Sequence, residues 1–345
     1  VQAIVIAAGM SKRLWPLSNA ISKPMFQLFD KPVIGHIIKG IKKAGFKEVL
    51  VVCRKDDKIL QNYVKSLKCK VFYQEKPEGT AKAVEVVKDY VKDEFLIAPG
   101  DHFLDVNIYS EISKYKDPVV VAKYIKGDEI KNFGVLDVEC GIIKNIIEKP
   151  QDIKEGFANL LIVKTNKEIF KGMKNLKKSK RNEYELVELL NGHVMHLTNR
   201  EWLDLGWPWT FLKALSIHLK DKVFIDKTAV VENSKLIGPC YIGKGCVIRN
   251  SVLNNAHVCD HCVIENSEVE NSYVMQNAII KSSSLKNSFL GIKTHLERVK
   301  TKAAIKELSI PGKAFLPPID IGVITAPHVN ARNKIFSCEI VCNLL

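Results

Sequence analysis

From Phe224 the chain places apolar residues six apart: Phe224, Val230, Leu236, Ile242 and Ile248. Small or turn-forming residues fill the intervals, as in "ENS", "IGP" and "IGKG". Val258 and Ile264 resume the spacing after a break at Asn254, and beyond Ile264 it tightens to about five, in "ENSEV ENSYV MQNAI". A short repeat of this kind cannot bury its apolar face alone. Successive turns must stack, and a six-residue period is the mark of a parallel β-helix. Antiparallel strands in a sandwich fit less well, because the period-two alternation is missing. The spacing predicts a short coil over residues 222–290, irregular in its later part. From Gly291 the repeat stops. Ile292 to Leu308 has the pattern of a basic amphipathic helix, and Pro311-Gly312 and Pro317-Pro318 break the chain. Residues 291–345 are left as a tail without an assigned fold.

Residues 1–221 follow another rule. Val1 to Ala8 is almost wholly apolar and rich in β-branched residues, which predicts a strand buried on both faces. Helical spacing over Val33 to Lys43 ends at Gly45, and a strand follows over Glu48 to Cys53. Lys58 to Lys65 reads as helix, Cys69 to Tyr73 as strand, Thr80 to Val91 as helix and Glu94 to Ala98 as strand. Val119 to Ala122 is a further strand, and Trp209 to Lys220 a helix leading out. This alternation predicts an α/β domain of the doubly wound, Rossmann-like kind, separable from the coil. In such sheets ligands bind beyond the carboxyl ends of the strands. Gly9 stands at such an end. A glycine there admits close approach of backbone N–H groups to phosphate oxygens, and Arg13 and Lys23 add charge-assisted contacts. On spacing alone, a plain turn with a solvated basic face is an equal reading.

Composition narrows the partners. The chain has 345 residues and a formal net charge of +14, which suits an anionic partner. It has neither zinc-finger spacing nor an aromatic RNA-binding signature, so a phosphorylated small molecule is expected rather than nucleic acid. No apolar run approaches the ~18 residues of a membrane span, and no signal-peptide pattern opens the sequence. Nine scattered cysteines fit a reducing cytoplasm. His257-x-Cys259-x-His261-Cys262, with Cys338 and Cys342, has metal-like spacing, but it falls inside the repeat and reads as structural thiols. His193 and His196, and the basic run Lys177 to Arg181, are read as structural and solvated.

Ala7-Ala8-Gly9-Met10-Ser11-Lys12-Arg13, Pro16-Leu17-Ser18 and Lys23-Pro24-Met25 together resemble the signature of the sugar-1-phosphate nucleotidyltransferase family. The ordered set that follows strengthens the resemblance: Gln74 before Gly79-Thr80-Ala81, Gly100-Asp101, Phe133-Gly134-Val135, Glu148-Lys149-Pro150, Ala158-Asn159, an acidic helix start over Asn182 to Leu190, and Trp202 to Gly206. The match covers about residues 1–220 in register. The repeat is similar to the left-handed β-helix that many of these enzymes carry, and archaeal bifunctional members look closest overall.

The resemblance implies a Mg²⁺-dependent enzyme joining a nucleoside triphosphate to a sugar 1-phosphate with release of pyrophosphate. It makes Arg13, Lys23 and Lys149 catalytic, and implies nucleotide binding by Ala8, Gly9, Ser11, Arg13, Lys23, Gln74, Gly79 and Thr80. Gly134, Glu148, Lys149 and Asn159 would hold the sugar phosphate, and Asp101 and Asp204 the metal. UTP or dTTP is favoured by Gln74. A mannose-1-phosphate guanylyltransferase is the second choice, and a non-catalytic regulatory subunit of the same fold the alternative class. A cytoplasmic homo-oligomer, with a trimer favoured, is expected. Acetyltransferase activity is not, because the relatives' histidine and asparagine motifs are missing after Leu290. The chain departs from the signature at Ser11, where the family has glycine, and at Lys12, where it has threonine. Ser11 gives up backbone freedom and supplies a hydroxyl.

Overall fold

The structure is a computed structural model. It describes residues 1–300 except Pro16 and Lys180, and two later strands, Val323–Thr325 and Asn330–Arg332. The chain forms two compact units: an α/β unit of Val1–Met10 with Ile34–Trp202, and a coil unit of Ser11–Val33 with Leu203 onward.

The α/β unit is built on a nine-stranded sheet. Its central strand, Gln2–Ala7, pairs in parallel with Glu48–Arg54 on one side and Glu94–Pro99 on the other, and Lys70–Gln74 adds to Glu48–Arg54. Strands one, two, three and four of this part therefore stand in the order three-two-one-four, the doubly wound arrangement. Ala3, Ile4 and Val5 are fully buried, as a strand covered on both faces requires. Beyond Glu94–Pro99 the sheet turns mixed. Glu155–Asn166 runs antiparallel to it and to Val119–Lys126, and Ile142–Glu148 pairs antiparallel with Gly134–Glu139. Val33–Lys43 and Lys58–Ser66 are helices, the second capped by Asp57, which accepts from the Leu60 N–H at 3.1 Å.

Two helices expected from spacing are shorter in the fold. The helix from Thr80 ends at Glu85 and continues as turns to Tyr90 rather than reaching Val91. Between Asn182 and Leu190 there is only a single 3-10 turn, Leu186–Leu189. Leu186 and Val187 are buried there, so tertiary packing replaces helical propensity.

In the coil unit, parallel strands stack in two long sheets as a β-helix. Ile242 stands in register with Val258, Val274 and Leu290, and Ile248 with Ile264, Ile280 and Leu296. Each step is sixteen residues, and these columns fill the interior at 0–1% exposure. Inward residues advance by six, five and five, as in Ile242, Ile248, Leu253 and Val258, so a strict period of six drifts out of register. Phe224, expected inside, is in register with Tyr241, His257, Tyr273 and Phe289 in a column beside the core, while Ile225 takes the Ile242 column. Corners are marked by left-handed residues, chiefly asparagines: Asn250 and Asn266 at one, Asn255, Asn271 and Asn287 at another. Asparagine tolerates this conformation better than other side chains. Between turns, the Ser251 hydroxyl accepts from Ser267 N–H at 3.1 Å, and Ser267 does the same for Ser283 at 3.0 Å.

The repeat does not stop at Gly291. His295–Glu297 pairs in parallel with Ile279–Lys281 and places Leu296 in an interior column. A helix from Ile292 is therefore excluded over its described part; residues 301–308 lie outside the described residues. Val323–Thr325 and Asn330–Arg332 extend the two sheets by a further turn.

Candidate active site

The expected site residues fall into two sets, one on each unit. In the α/β unit, the central strand delivers Ala8 and Gly9 to its carboxyl end. Ala8 is buried, and a side chain at Gly9 would meet no atom within 4 Å, so the space beside it is open. Arg54 donates to the Gly9 carbonyl at 3.3 Å. Gly79 has φ +111°, and a Cβ there would lie 2.4 Å from the Tyr184 carbonyl. Only glycine fits. Gln74 Nε2 donates to the Gly79 carbonyl at 3.1 Å, which engages one of its two N–H groups. Thr80 Oγ1 accepts from the Leu186 N–H at 2.9 Å, tying this loop to the segment after Tyr184.

Gly134, Glu148 and Asn159 come together on neighbouring strands. A Cβ on Gly134 would sit 3.0 Å from Glu148 Oε2 and 3.9 Å from Asn159 Cβ. Asn159 Oδ1 accepts from the Leu161 N–H at 2.8 Å, which fixes the amide's orientation. Its buried Nδ2 has no acceptor among the described residues. A buried N–H group left unpaired costs about 1–3 kcal/mol, so the position suits an oxygen-rich ligand. Lys149, with φ +49°, holds its Nζ 3.8 Å from Glu148.

Arg181, read from the sequence as part of a solvated run, stands here too. It contacts Glu148 at 3.1 Å, Glu183 at 2.8 Å and Glu185 at 3.6 Å. Burial pushes the Glu185 carboxyl up against the opposing pull of Arg181. Its spacing to Glu183 and Glu185 was the available signal. Asp101 follows the strand Glu94–Pro99, with His102 Nε2 3.8 Å from its Oδ1. Trp202 Nε1 donates to His102 Nδ1 at 3.0 Å, which leaves the imidazole proton on Nε2 when the ring is neutral.

In the coil unit, Ser11 has φ +53°, the left-handed region that the family glycine would enter freely. Its hydroxyl accepts from the Lys23 N–H at 3.2 Å, so the departure from glycine joins the loop to Lys23. Asp204 binds both cations: Arg13 Nη2 at 3.1 Å and Lys23 Nζ at 3.2 Å. The Lys23 side chain is 6% exposed and that of Arg13 42%. Arg13 also lies over the Trp207 ring at 5.4 Å. A Cβ at Gly206 would meet the guanidinium at 2.7 Å, so Gly206 leaves room for it. Arg13 and Lys23 thus converge on the Asp204 carboxylate, one at each oxygen. Asp101 in the α/β unit and Asp204 in the coil unit each offer carboxylate oxygens, the donor type a hard cation such as Mg²⁺ takes. For the His257 to Cys262 spacing the result differs: His257, Cys259 and Cys262 are fully buried, and among the described residues no group of three metal-binding side chains forms. Cys338 and Cys342 lie outside the described residues.

A doubly wound sheet with an open glycine at the end of its central strand defines the α/β unit, and stacked parallel strands define the coil unit. Residues 2–220 match the nucleotidyl transferase family model, and the chain belongs to that family. It is 35% identical over 260 residues to the bifunctional protein GlmU of Methanocaldococcus jannaschii, covering 72% of this chain and 61% of that one. It therefore spans about three fifths of the length of this relative. The bifunctional sugar-1-phosphate nucleotidylyltransferase/acetyltransferase of Sulfurisphaera tokodaii is 26% identical over 259 residues, with 72% and 64% covered. A solved UDP-glucose pyrophosphorylase complexed with UDP-glucose shares the fold, with TM-score 0.57, 20% identity, and 64% of this chain and 99% of that chain covered.

Proposed function

We propose that the chain transfers a nucleotidyl group from a nucleoside triphosphate to a sugar 1-phosphate and releases pyrophosphate. The observation that carries the reading is the pair of cations, Arg13 and Lys23, held on Asp204. An oxygen of the sugar phosphate attacks the α-phosphorus, and the bond to the pyrophosphate oxygen breaks. Two polyanions must be brought together, so positioning and charge neutralisation do most of the catalysis. Arg13 takes the β- and γ-phosphates. Lys23 takes the α-phosphate, where charge grows. Lys149 and Asn159 hold the incoming sugar phosphate, with Gly134 and Glu148 shaping the sugar's place. Gln74 and the Gly79–Thr80 loop read the base, and Gly9 and Ser11 admit the phosphates. Asp101 and Asp204 would hold Mg²⁺, which neutralises phosphate charge when bound.

UTP or dTTP is the favoured nucleotide, since Gln74 retains amide groups suited to a pyrimidine edge. The names of the relatives support the class: besides those above, the UTP–glucose-1-phosphate uridylyltransferase AglF of Haloferax volcanii is 26% identical over 224 residues and covered to 92%. A cytoplasmic site of action is supported by the described cysteines, all free thiols. Among the described residues no helix is long and apolar enough to cross a membrane. Assembly as a trimer through the coil is part of the proposal and is checked by light scattering.

The test is a pyrophosphate-release screen over nucleoside triphosphates and sugar 1-phosphates with Mg²⁺. Release that needs both substrates is expected, and silence with every pair would favour the regulatory reading. Acetyl-CoA with glucosamine 1-phosphate, followed by free-thiol detection, checks that activity is confined to nucleotidyl transfer.

A further inference from the structure

Lys23 belongs to the coil unit, and the way its segment is fixed there is unusual. Lys23–Met25 forms a 3-10 turn in which the Phe26 N–H returns to the Lys23 carbonyl at 3.0 Å. The chain then makes a tight hairpin, Gln27–Leu28 against Lys31–Pro32. Phe29 at its tip has φ +57°. For a bulky residue this conformation is strained, and it persists only where the surroundings over-determine it.

The coil supplies those surroundings. The Phe29 N–H donates to His257 Nε2 at 3.0 Å, and His257 is fully buried. Tyr273 Oη–H donates to the Gln27 carbonyl at 2.7 Å. Gln27 pairs with Asp260 in both directions, Nε2 to Oδ1 at 2.7 Å and Oε1 from the Asp260 N–H at 3.2 Å. The Phe29 ring packs on His218, Tyr241 and His257, with centroids 4.3, 5.7 and 5.7 Å away. Tyr241, His257 and Tyr273 are the side column of the coil itself, in register sixteen residues apart. Three successive turns of the repeat thus grip one strained corner.

We propose that this column is a clasp that aims Lys23, with His257 as its central positioning residue and Tyr273 and Asp260 as its flanks. The proposal rests on the reading of Lys23 as the α-phosphate cation. On this account the coil is part of the transferase, and removing it from Phe224 onward abolishes turnover rather than leaving an active α/β domain. His257 acts as a hydrogen-bond acceptor, so an acceptor of similar reach should replace it.

The experiment uses the full chain with His257→Phe, which keeps the ring stack and loses the acceptor, and His257→Gln, which restores an acceptor at the Nε2 position. Tyr273→Phe removes a single hydroxyl and covers the case in which His257→Phe fails to fold. Lys23→Ala is the reference. Steady-state kinetics and amide hydrogen exchange at Phe29 are the readouts. His257→Phe is expected to lower kcat about tenfold or more with KM for the nucleotide near the parent value, and to speed Phe29 exchange. His257→Gln should recover most of both, and Tyr273→Phe should lower kcat about three- to fivefold. Parent-like kcat in His257→Phe, or in Tyr273→Phe if the former does not fold, overturns the clasp when Lys23→Ala is slow. A parent-like Lys23→Ala overturns the reading of Lys23 and the proposal with it. Failure of His257→Gln to recover kcat while folded also overturns it.

Discussion

Gly79 in the α/β unit and Phe29 in the coil unit both occupy left-handed backbone, and they are held there by opposite means. At Gly79 the missing side chain is the device: the backbone slides under the Tyr184 carbonyl and no strain is stored. At Phe29 outside contacts are the device: its ring is packed on Tyr241 and His218, its backbone N–H is held by His257, and the strain is balanced by those contacts. The first kind of loop is written locally, in one residue type. The second is written in distant positions, between 189 and 228 residues away. The comparison teaches that two loops can share a left-handed backbone and yet be held there by different means.

The largest effect should come from the charge that the second loop carries. Lys23→Ala is expected to lower kcat by about 10²–10³ with a small change in KM, since its contact strengthens as charge builds. Steady-state kinetics over both substrates checks this, and a raised KM with unchanged kcat would place Lys23 in ground-state binding only. Gly79→Ala attacks the first loop. A Cβ 2.4 Å from a carbonyl at φ +111° should cost about 2–4 kcal/mol of stability in the α/β unit, read from denaturant midpoints. A cost under about 0.5 kcal/mol would show that the Tyr184 segment yields freely.

The comparison is sharpened by acid. Burial holds the folded His257 at about 3, against an ordinary value near 6.5. As pH falls below 6.5 the unfolded chain takes the proton first, so this contribution to stability is full above 6.5 and is lost towards pH 3. Its neighbours Tyr241, Tyr273, Cys259 and Phe29 carry no charge in that range, and Asp260 is engaged by Gln27. Denaturant midpoints at pH 7 and pH 4.5 should differ more for the parent than for His257→Gln. His193 and His218, also lowered by burial, add a background slope common to both proteins. Equal slopes would remove His257 from the acid response. The smallest effect is expected for Ser11→Gly. Relief at φ +53° and loss of the hydroxyl's bond to the Lys23 N–H oppose each other, for a net change within about 1 kcal/mol by thermal unfolding.

What was legible in the sequence follows the same division. The central strand, the doubly wound alternation and Gly79 are local patterns, and they stand in the fold where spacing puts them. The repeat was legible as a coil but not in its true step, because Phe224 and Val230 lie six apart while the inward columns advance six, five and five. The left-handed asparagines, Asn250 and Asn266 among them, carry the sixteen-residue step more faithfully than the apolar residues do. Charge runs hid Arg181, whose partner Glu148 comes from a separate segment, although Glu185 stands four residues on. The grip of His257 on Phe29 was illegible, since the two residues lie 228 positions apart in the chain. The Asn182 to Leu190 helix failed because buried contacts at Leu186 and Val187 outweigh local preference.

The sixteen-residue step also governs how this chain can change length. Columns of interior aliphatics, corner asparagines and bridging serines are all counted from the same origin. Losing one residue inside a strand such as Val263–Glu265 would swing Ile264 outward and put every later column out of phase with the turn before it. Losing one of the whole turns that carry Tyr241, His257 and Tyr273 would restore phase but remove one finger of the grip on this corner. Length variation in the coil is therefore quantised, and a gene encoding it can be shortened or lengthened only by complete turns or by loops let out at the corners.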